Sequence, residues 1–313
     1  MIALLFPGQG TQKAGLFSVF VNAFSCAKNT LDEIEDAISL KISELVENAS
    51  LEELSRTDNA QLVVFTSSMI CLSVLQQEYG FDIENQCKYL AGHSLGEYSA
   101  LCASGVLTLR GAAQLVKKRG EIMLSVCSSA DEYQMTAILG TSISDIENCL
   151  DSNSDCVIAN DNSNTQVVLS GRKVSVDGTI TKILEHYPMV RTINLNTSGP
   201  FHSPLMGKAS IKLDEYLSAS LHNVRNPSVP VISNVTAEPI TDKRHIYDEL
   251  ISQMISRVRW RETVRNIIAD NEVNKIVELS PGHVLTGMIK RDYPEMELHS
   301  LETVSQIESF MKG

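Results

Sequence analysis

The segment Gly92-His93-Ser94-Leu95-Gly96 places a serine between two glycines, where a short apolar run (Cys87–Ala91) meets a helical pattern. G-x-S-x-G at a strand-to-helix junction is a nucleophile elbow. The glycines allow a turn too sharp for side chains, and the serine hydroxyl is left exposed at its tip. The pentapeptide alone is a weak signal, because many serines sit between glycines in ordinary loops. The strand–turn–helix context is what makes Ser94 a candidate for covalent acyl chemistry.

A serine hydroxyl needs a base at neutral pH. The seven histidines are His93, His186, His202, His222, His245, His283 and His299. His93 adjoins the serine, but neighbours on an elbow point apart, so a structural role fits it better. His186 and His245 lie in charged helical patterns, and His222 and His299 have no supporting context. His202 lies in a strand-to-helix loop beside Gly199 and Pro200, and His283 follows Pro281-Gly282 at a strand end. We rank His202 first as the base and His283 second. The tetrahedral intermediate also needs N–H donors. The elbow geometry assigns one to Leu95, and the polar turn holding Gln9 and Gly10 is the natural source of the second. A hydrolase triad would add an acid in the order Ser…Asp/Glu…His. No carboxylate stands in a comparable strand-end loop between Ser94 and His202.

One cation stands out. In the helical pattern Thr108–Val126, Arg119 falls on the apolar stripe of Ala112, Leu115, Val116, Ile122 and Met123, whereas Lys117 and Lys118 point elsewhere. Arg119 is either a stem snorkelling at the edge of the core, which position alone favours, or a guanidinium aimed into a cavity.

These residues need a scaffold. Ile2–Phe6 reads as a strand that breaks into Pro7-Gly8-Gln9-Gly10, and Leu16–Ala37 carries helical periodicity. Ser50-Leu51-Glu52-Glu53 has the pattern of a capping box, and Ala60–Tyr79 that of a buried helix. The middle of the chain reads strand (Gln134–Leu139), helix (Ser142–Leu150), strands (Cys156–Asn160 and Thr165–Ser170), helix (Lys173–Tyr187) and strand (Val190–Leu195). That βαββαβ order is ferredoxin-like, with Asn160, Asn162 and Asn164 read as turn residues. Further strands are expected within Ser228–Ser233, at Lys275–Leu279 and at Glu297–Leu301, with helices at Tyr247–Ile255, Glu262–Asn271 and Val284–Lys290. Alternating strands and helices predict a mainly parallel sheet. The expected fold is therefore α/β: an α/β-hydrolase-like catalytic domain from residues 1–130 and 198–313, with a ferredoxin-like subdomain inserted at 131–197.

Composition narrows the setting. The chain has 313 residues, 43% of them hydrophobic, enough for a large core. Its net charge of −12, with no basic block, argues against nucleic acid as a partner. The seven cysteines are odd in number, irregularly spaced and without a C-x-x-C pair, so reduced thiols in a cytosol-like compartment are expected, not a disulfide frame or a zinc site. Pro7 and Gly8 interrupt the first apolar run, so no secretory signal is read. No apolar stretch reads as long enough to span a membrane.

Five segments, in order, resemble the malonyl-CoA:acyl carrier protein transacylases of fatty-acid synthesis and the acyltransferase domains of polyketide synthases. They are FPGQGTQ (Phe6–Gln12), AGHSLGEYSAL (Ala91–Leu101), KKRGEIM (Lys117–Met123), SGPFHSPLM (Ser198–Met206) and SPGHVLTGMIKR (Ser280–Arg291). The resemblance runs nearly end to end. It implies that Ser94 carries the acyl group and His202 is its base. It further implies that Arg119 pairs with the malonyl carboxylate, favouring the inward reading, and that the N–H groups of Gln9 and Leu95 form the oxyanion hole. Gln253 would lie close to the site, with a main-chain carbonyl orienting the histidine in place of an acid. The implied substrates are malonyl-CoA and a holo-acyl carrier protein that brings its own phosphopantetheine. No metal or resident cofactor is implied, and relatives suggest a monomer in the cytoplasm. A polyketide-synthesis acyltransferase and a serine thioesterase are the alternatives. Arg257 stands where relatives often carry proline before Val258-Arg259-Trp260, and the segment from Asp131 to Met135 lacks their glycine-rich start. Lys117, Lys118, Arg257, Arg259 and Lys290 are the candidates for a basic patch that receives an acidic carrier.

Overall fold

The computed structural model describes residues 1–127, 132–152, 154–220, 224–279 and 281–312. His222, Ser280 at the head of the last motif, and residue 131 at the expected subdomain boundary lie outside them.

The strands run β1 (Ile2–Phe6), β2 (Cys87–Gly92), β3 (Tyr133–Leu139), β4 (Cys156–Ser163), β5 (Gln166–Arg172), β6 (Arg191–Asn194), β7 (Val231–Ile232), β8 (Pro239–Ile240), β9 (Lys275–Leu279) and β10 (Glu297–Leu301). They form two sheets. The larger has the order β10-β9-β1-β2-β7-β8, parallel from β10 to β7, with β8 antiparallel at the edge. β1 lies at its centre, and Ala3, Leu4, Leu5 and Phe6 are completely buried. A strand covered on both faces needs such a continuous apolar run. The expectation of a mainly parallel α/β layer is met.

The helix Thr57–Gln77 packs against Leu109–Ser125 and carries much of the main core. At 21 residues, with mean hydropathy 1.3 in its most apolar window, it is long and apolar enough to cross a membrane, contrary to the sequence reading. Yet 89% of that window is buried inside the protein, which makes it a core helix. The periodicity over Leu16–Ala37 resolves into two helices, Ser18–Ala23 and Ser25–Ile38, separated by an extended Phe24 (φ −134°, ψ 131°).

The smaller sheet is antiparallel with the order β4-β5-β3-β6, and its chain order is βαββαβ with helices Ile143–Cys149 and Lys173–His186. Ser142 and Asp145 cap the first of these helices reciprocally. One face of the sheet (Ile138, Ile158, Val167, Leu169) packs on those helices through Ile146, Val176 and Ile183. Met135, Ala137, Gln166 and Val168, at alternate positions on β3 and β5, face the other way into a cavity. The asparagines require a correction. Asn160 and Asn162 are not turn residues but buried members of β4, and the turn holds only Asn164 and Thr165. The register shifts between Ile158 and Asn160, so the strand reverses its facing there and the asparagines join the cavity wall.

Candidate active site

The cavity, about 940 Å³, lies between the end of the large parallel sheet and the small sheet. Gln9, His93, Ser94, Asn160, Asn162 and His202 are among the residues that line it. β2 delivers Ser94 to its floor. The elbow is built by steric exclusion. A Cβ on Gly92 would lie 1.9 Å from the carbonyl carbon of Gly96, and one on Gly96 would lie 2.0 Å from the Phe6 oxygen. Ser94 itself is held at φ 52°, ψ −104°, a conformation that a non-glycine residue keeps only when its surroundings over-determine it.

Ser94 Oγ and His202 Nε2 are 2.7 Å apart. The other ring nitrogen, Nδ1, lies 2.9 Å from the main-chain oxygen of Gln253. A carbonyl can only accept, so Nδ1 carries the proton and Nε2 is left free to accept from the serine hydroxyl. Burial pushes the His202 pKa down to about 3, with the charge of Arg119 adding to the effect. The imidazole is therefore neutral, with Nε2 unprotonated, across the ordinary pH range. No carboxylate bonds to His202 among the described residues; the Gln253 carbonyl occupies that position.

Arg119 is 1% exposed. Its Nη1 donates to Gln61 Oε1 (2.6 Å), and its Nη2 donates to Gln253 Oε1 (3.0 Å) and to Ser94 Oγ (3.2 Å). The guanidinium also lies over the ring of Tyr98, 4.9 Å from its centroid. Its Nε has no partner, and among the described residues no carboxylate pairs with it. The snorkelling alternative is thereby excluded, since the head group is inside the protein. A buried guanidinium without a counter-ion is costly on its own. It suits a site that receives an anion.

Leu95 opens the helix Leu95–Ala103 directly after the serine, and Gln9 lies in the turn that follows β1. A Cβ on Gly8 would lie 2.7 Å from the His93 oxygen, so this turn abuts the elbow. His93 holds Asn162 Oδ1 at 2.8 Å and packs edge-on against Trp260, in keeping with a structural role. His283, the second-ranked base, is exposed at the start of Val284–Asp292 and does not line the cavity. Sequence reasoning missed Asn234. Its Oδ1 accepts the Ser94 N–H (2.7 Å) and its Nδ2 donates to the Gly92 oxygen (2.7 Å), so one side chain braces both sides of the elbow. Only its position just beyond the short strand β7 could have hinted at this.

The suggested basic patch is largely committed elsewhere. Lys118 pairs with Glu121, Arg257 with Glu147 and Arg259 with Glu262, while Lys117 and Lys290 donate to main-chain oxygens.

A serine on an elbow and its histidine in the cavity wall, with a buried arginine touching the serine hydroxyl from behind that wall, are the equipment of an acyltransferase, and the model of the acyl transferase domain family matches residues 3–309. A malonyl CoA-acyl carrier protein transacylase of Bacillus subtilis (strain 168) is 38% identical over 93% of this chain and 90% of its own length. Among solved structures, an acyl-carrier-protein-S-malonyltransferase from Bartonella henselae superposes with a TM-score of 0.93 at 35% identity, covering 99% of this chain and 98% of that one. A malonyl-transacylase solved in complex with its type II polyketide acyl-carrier protein gives 0.92 at 29% identity, covering 99% of both chains. The chain belongs to the malonyl CoA-acyl carrier protein transacylase family of acyltransferases.

Proposed function

We propose that this enzyme moves a malonyl group from malonyl-CoA to the phosphopantetheine thiol of a holo-acyl carrier protein, through a malonyl ester on Ser94. The observation that carries this reading is the buried Arg119 without a counter-ion, 3.2 Å from the serine hydroxyl. A guanidinium fork there matches an acyl group that ends in a carboxylate.

In the first half-reaction Ser94 Oγ attacks the thioester carbonyl and gives its proton to His202 Nε2. The oxyanion forms against the N–H groups of Gln9 and Leu95. Its collapse breaks the C–S bond, and the sulfur leaving group takes the proton from His202 Nε2 and departs as coenzyme A thiol, so Nε2 is free again. In the second half-reaction the phosphopantetheine thiol gives its proton to His202 and attacks the ester. Ser94 Oγ then leaves and recovers that proton. Gln253 contributes twice: its main-chain oxygen orients His202, and its side chain steadies Arg119. The acid–base and electrostatic work is done by side chains and main-chain N–H groups, so the scheme needs no resident metal or cofactor.

We further read the large sheet as an α/β-hydrolase-like domain (residues 1–130 and 198–313) and the small one as an inserted ferredoxin-like subdomain (131–197). The serine elbow between a parallel strand and a helix supports the first assignment, and the antiparallel order β4-β5-β3-β6 supports the second. A monomer working in the cytoplasm and supplying fatty-acid synthesis is the setting we favour. A polyketide carrier is the second reading, supported by the likeness to the polyketide transacylase. Incubation with malonyl-CoA and purified holo-carriers of each kind tests the proposal. Malonyl-carrier is the expected main product; free malonate as the main product would overturn transfer in favour of hydrolysis.

A further inference from the structure

We propose that Glu97 is a positioning residue that fixes which end of the Gln253 amide faces Arg119, and that it thereby sets the preference for acid-bearing acyl groups. The inference rests on the reading of Arg119 as the partner of the acyl carboxylate.

Glu97 lies in the first turn of the elbow helix and is 0% exposed. A carboxyl that deep must have partners, and its partners here are not cations. Oε1 accepts the main-chain N–H of Asn234 (3.1 Å), and Oε2 accepts from Nε2 of Gln253. These two residues are the ones that hold the elbow. Asn234 binds the Ser94 N–H and the Gly92 oxygen. Gln253 donates from Nε2 to the Ser94 oxygen (3.0 Å) and accepts at Oε1 from Arg119 Nη2 (3.0 Å).

A glutamine amide has two ends of nearly equal size, and only its neighbours decide which is which. At the Nε2 end of Gln253 both neighbours, the Ser94 oxygen and Glu97 Oε2, are acceptors. That forces the NH₂ to lie there and turns Oε1 toward the guanidinium. Glu249 lies on the far side of Glu97 and is itself held by Ser233 Oγ (2.6 Å) and the Val235 N–H (3.1 Å). Burial, with the Glu249 carboxyl next, holds Glu97 well above the ordinary carboxylate range. A neutral Glu97 spares the pair two buried charges, and its oxygens keep their bonds from the Asn234 N–H and Gln253 Nε2.

Replacing Glu97 by glutamine changes almost no volume and reverses one polarity. The fixed N–H of Asn234 claims the new oxygen, so the new NH₂ confronts the NH₂ of Gln253. If the Gln253 amide flips in response, its NH₂ meets Arg119, donor against donor, and its oxygen meets the Ser94 oxygen. If it does not flip, it swings away. In both cases Arg119 loses an acceptor, and the guanidinium is no longer held at the serine.

The test is loading of Ser94 by malonyl-CoA and by acetyl-CoA, in single turnover read by intact mass, for the full chain and for Glu97→Gln, Arg119→Ala and Gln253→Met. The expected result is that Glu97→Gln lowers the malonyl-to-acetyl ratio about tenfold, the size of one charge-assisted hydrogen bond, and that Arg119→Ala lowers it at least as far. If Glu97→Gln slows both acyl groups equally while Arg119→Ala collapses the ratio, Glu97 is merely structural and the inference is overturned, with the reading of Arg119 intact. If Arg119→Ala leaves the ratio unchanged, the reading of Arg119 falls and the inference falls with it. Should circular dichroism show that Glu97→Gln is unfolded, Gln253→Met decides: a collapsed ratio supports the amide as the link, and an unchanged ratio overturns it.

Discussion

Arg119 Nη2 donates to Ser94 Oγ across 3.2 Å, so the group proposed to read the acyl carboxylate touches the atom proposed to receive the acyl chain. The guanidinium is fixed by Gln61 and Gln253, both neutral, which leaves its charge unpaired and, on the proposed reading, available to an acyl carboxylate. Removing it should therefore cost malonyl loading far more than acetyl loading. For Arg119→Ala we expect about a hundredfold loss with malonyl-CoA, from a charged hydrogen-bonded pair, and a few-fold change at most with acetyl-CoA. Arg119→Lys should fall between, because an ammonium keeps the charge and loses the fork. Rates of acyl-enzyme formation measure all three, and equal losses for both acyl groups would show that Arg119 does not read the carboxylate.

The depressed His202 makes a pH prediction. A free histidine base would switch off near its ordinary pKa of about 6.5. Burial and the Arg119 charge push His202 down to about 3, so kcat/KM for malonyl-CoA should stay level from neutral pH to about pH 5. An acid limb near 6.5 would contradict that. The same shift bears on stability. Between about 3 and 6.5 the unfolded chain binds a proton at this position and the native state does not. Native stability from this group is thus intact above pH 6.5 and is lost as the pH falls toward 3. Denaturant midpoints measured between pH 7.5 and 4.5 should fall with pH, and less so in His202→Gln.

Much of this molecule is legible in the chain because its central elements are local. β1 and β9 fall where their apolar runs place them, and the elbow announces itself through Gly92 and Gly96. Arg119 is visible as a charge on an apolar stripe, but its direction is not, because Gln61 and Gln253 come from 58 and 134 residues away. Asn160 was misread because a strand bulge, invisible to a period-two pattern, exchanges the faces of β4. Glu97 and Asn234 meet across 137 residues, and no local rule marks either as a partner of the serine.

An ion pair ties the small sheet to the helix Trp260–Ala269. Asp161 on β4, completely buried, receives Arg261 in two-point geometry, Nε to Oδ1 at 2.8 Å and Nη2 to Oδ2 at 2.9 Å. Burial raises the Asp161 pKa even with the arginine opposing it, so the carboxylate depends on that partner. Arg261→Met should cost about 3–5 kcal/mol by leaving the acid unpaired. The pKa of Asp161 then rises further. An acid raised in the native state is penalised as the pH increases, so the variant should be weaker at pH 8 than at pH 5. The double change Asp161→Asn with Arg261→Met should recover part of the loss, and thermal melts of the three variants test the set. A double variant no more stable than Arg261→Met would mean that the buried charge is not the source of the cost.

Two glycines in this chain that are both helical in backbone should respond oppositely to the same methyl group. Gly96, in the elbow helix, has no room: the added Cβ would lie 2.0 Å from the Phe6 oxygen and 2.8 Å from its carbonyl carbon, both main-chain atoms of the central strand. They can yield only by moving β1, so Gly96→Ala should lose about 3 kcal/mol or more of stability, and the elbow geometry with it. Gly178, inside the helix Lys173–His186, has nothing within 4 Å of the same position. Alanine there removes freedom from the unfolded chain without strain, so Gly178→Ala should gain about 0.5–1 kcal/mol. Chemical denaturation of both variants, with loading of Ser94 as the functional readout, separates the two cases. A Gly96→Ala protein that folds and loads malonyl normally would show that the tight approach of elbow and strand is not needed for the reaction.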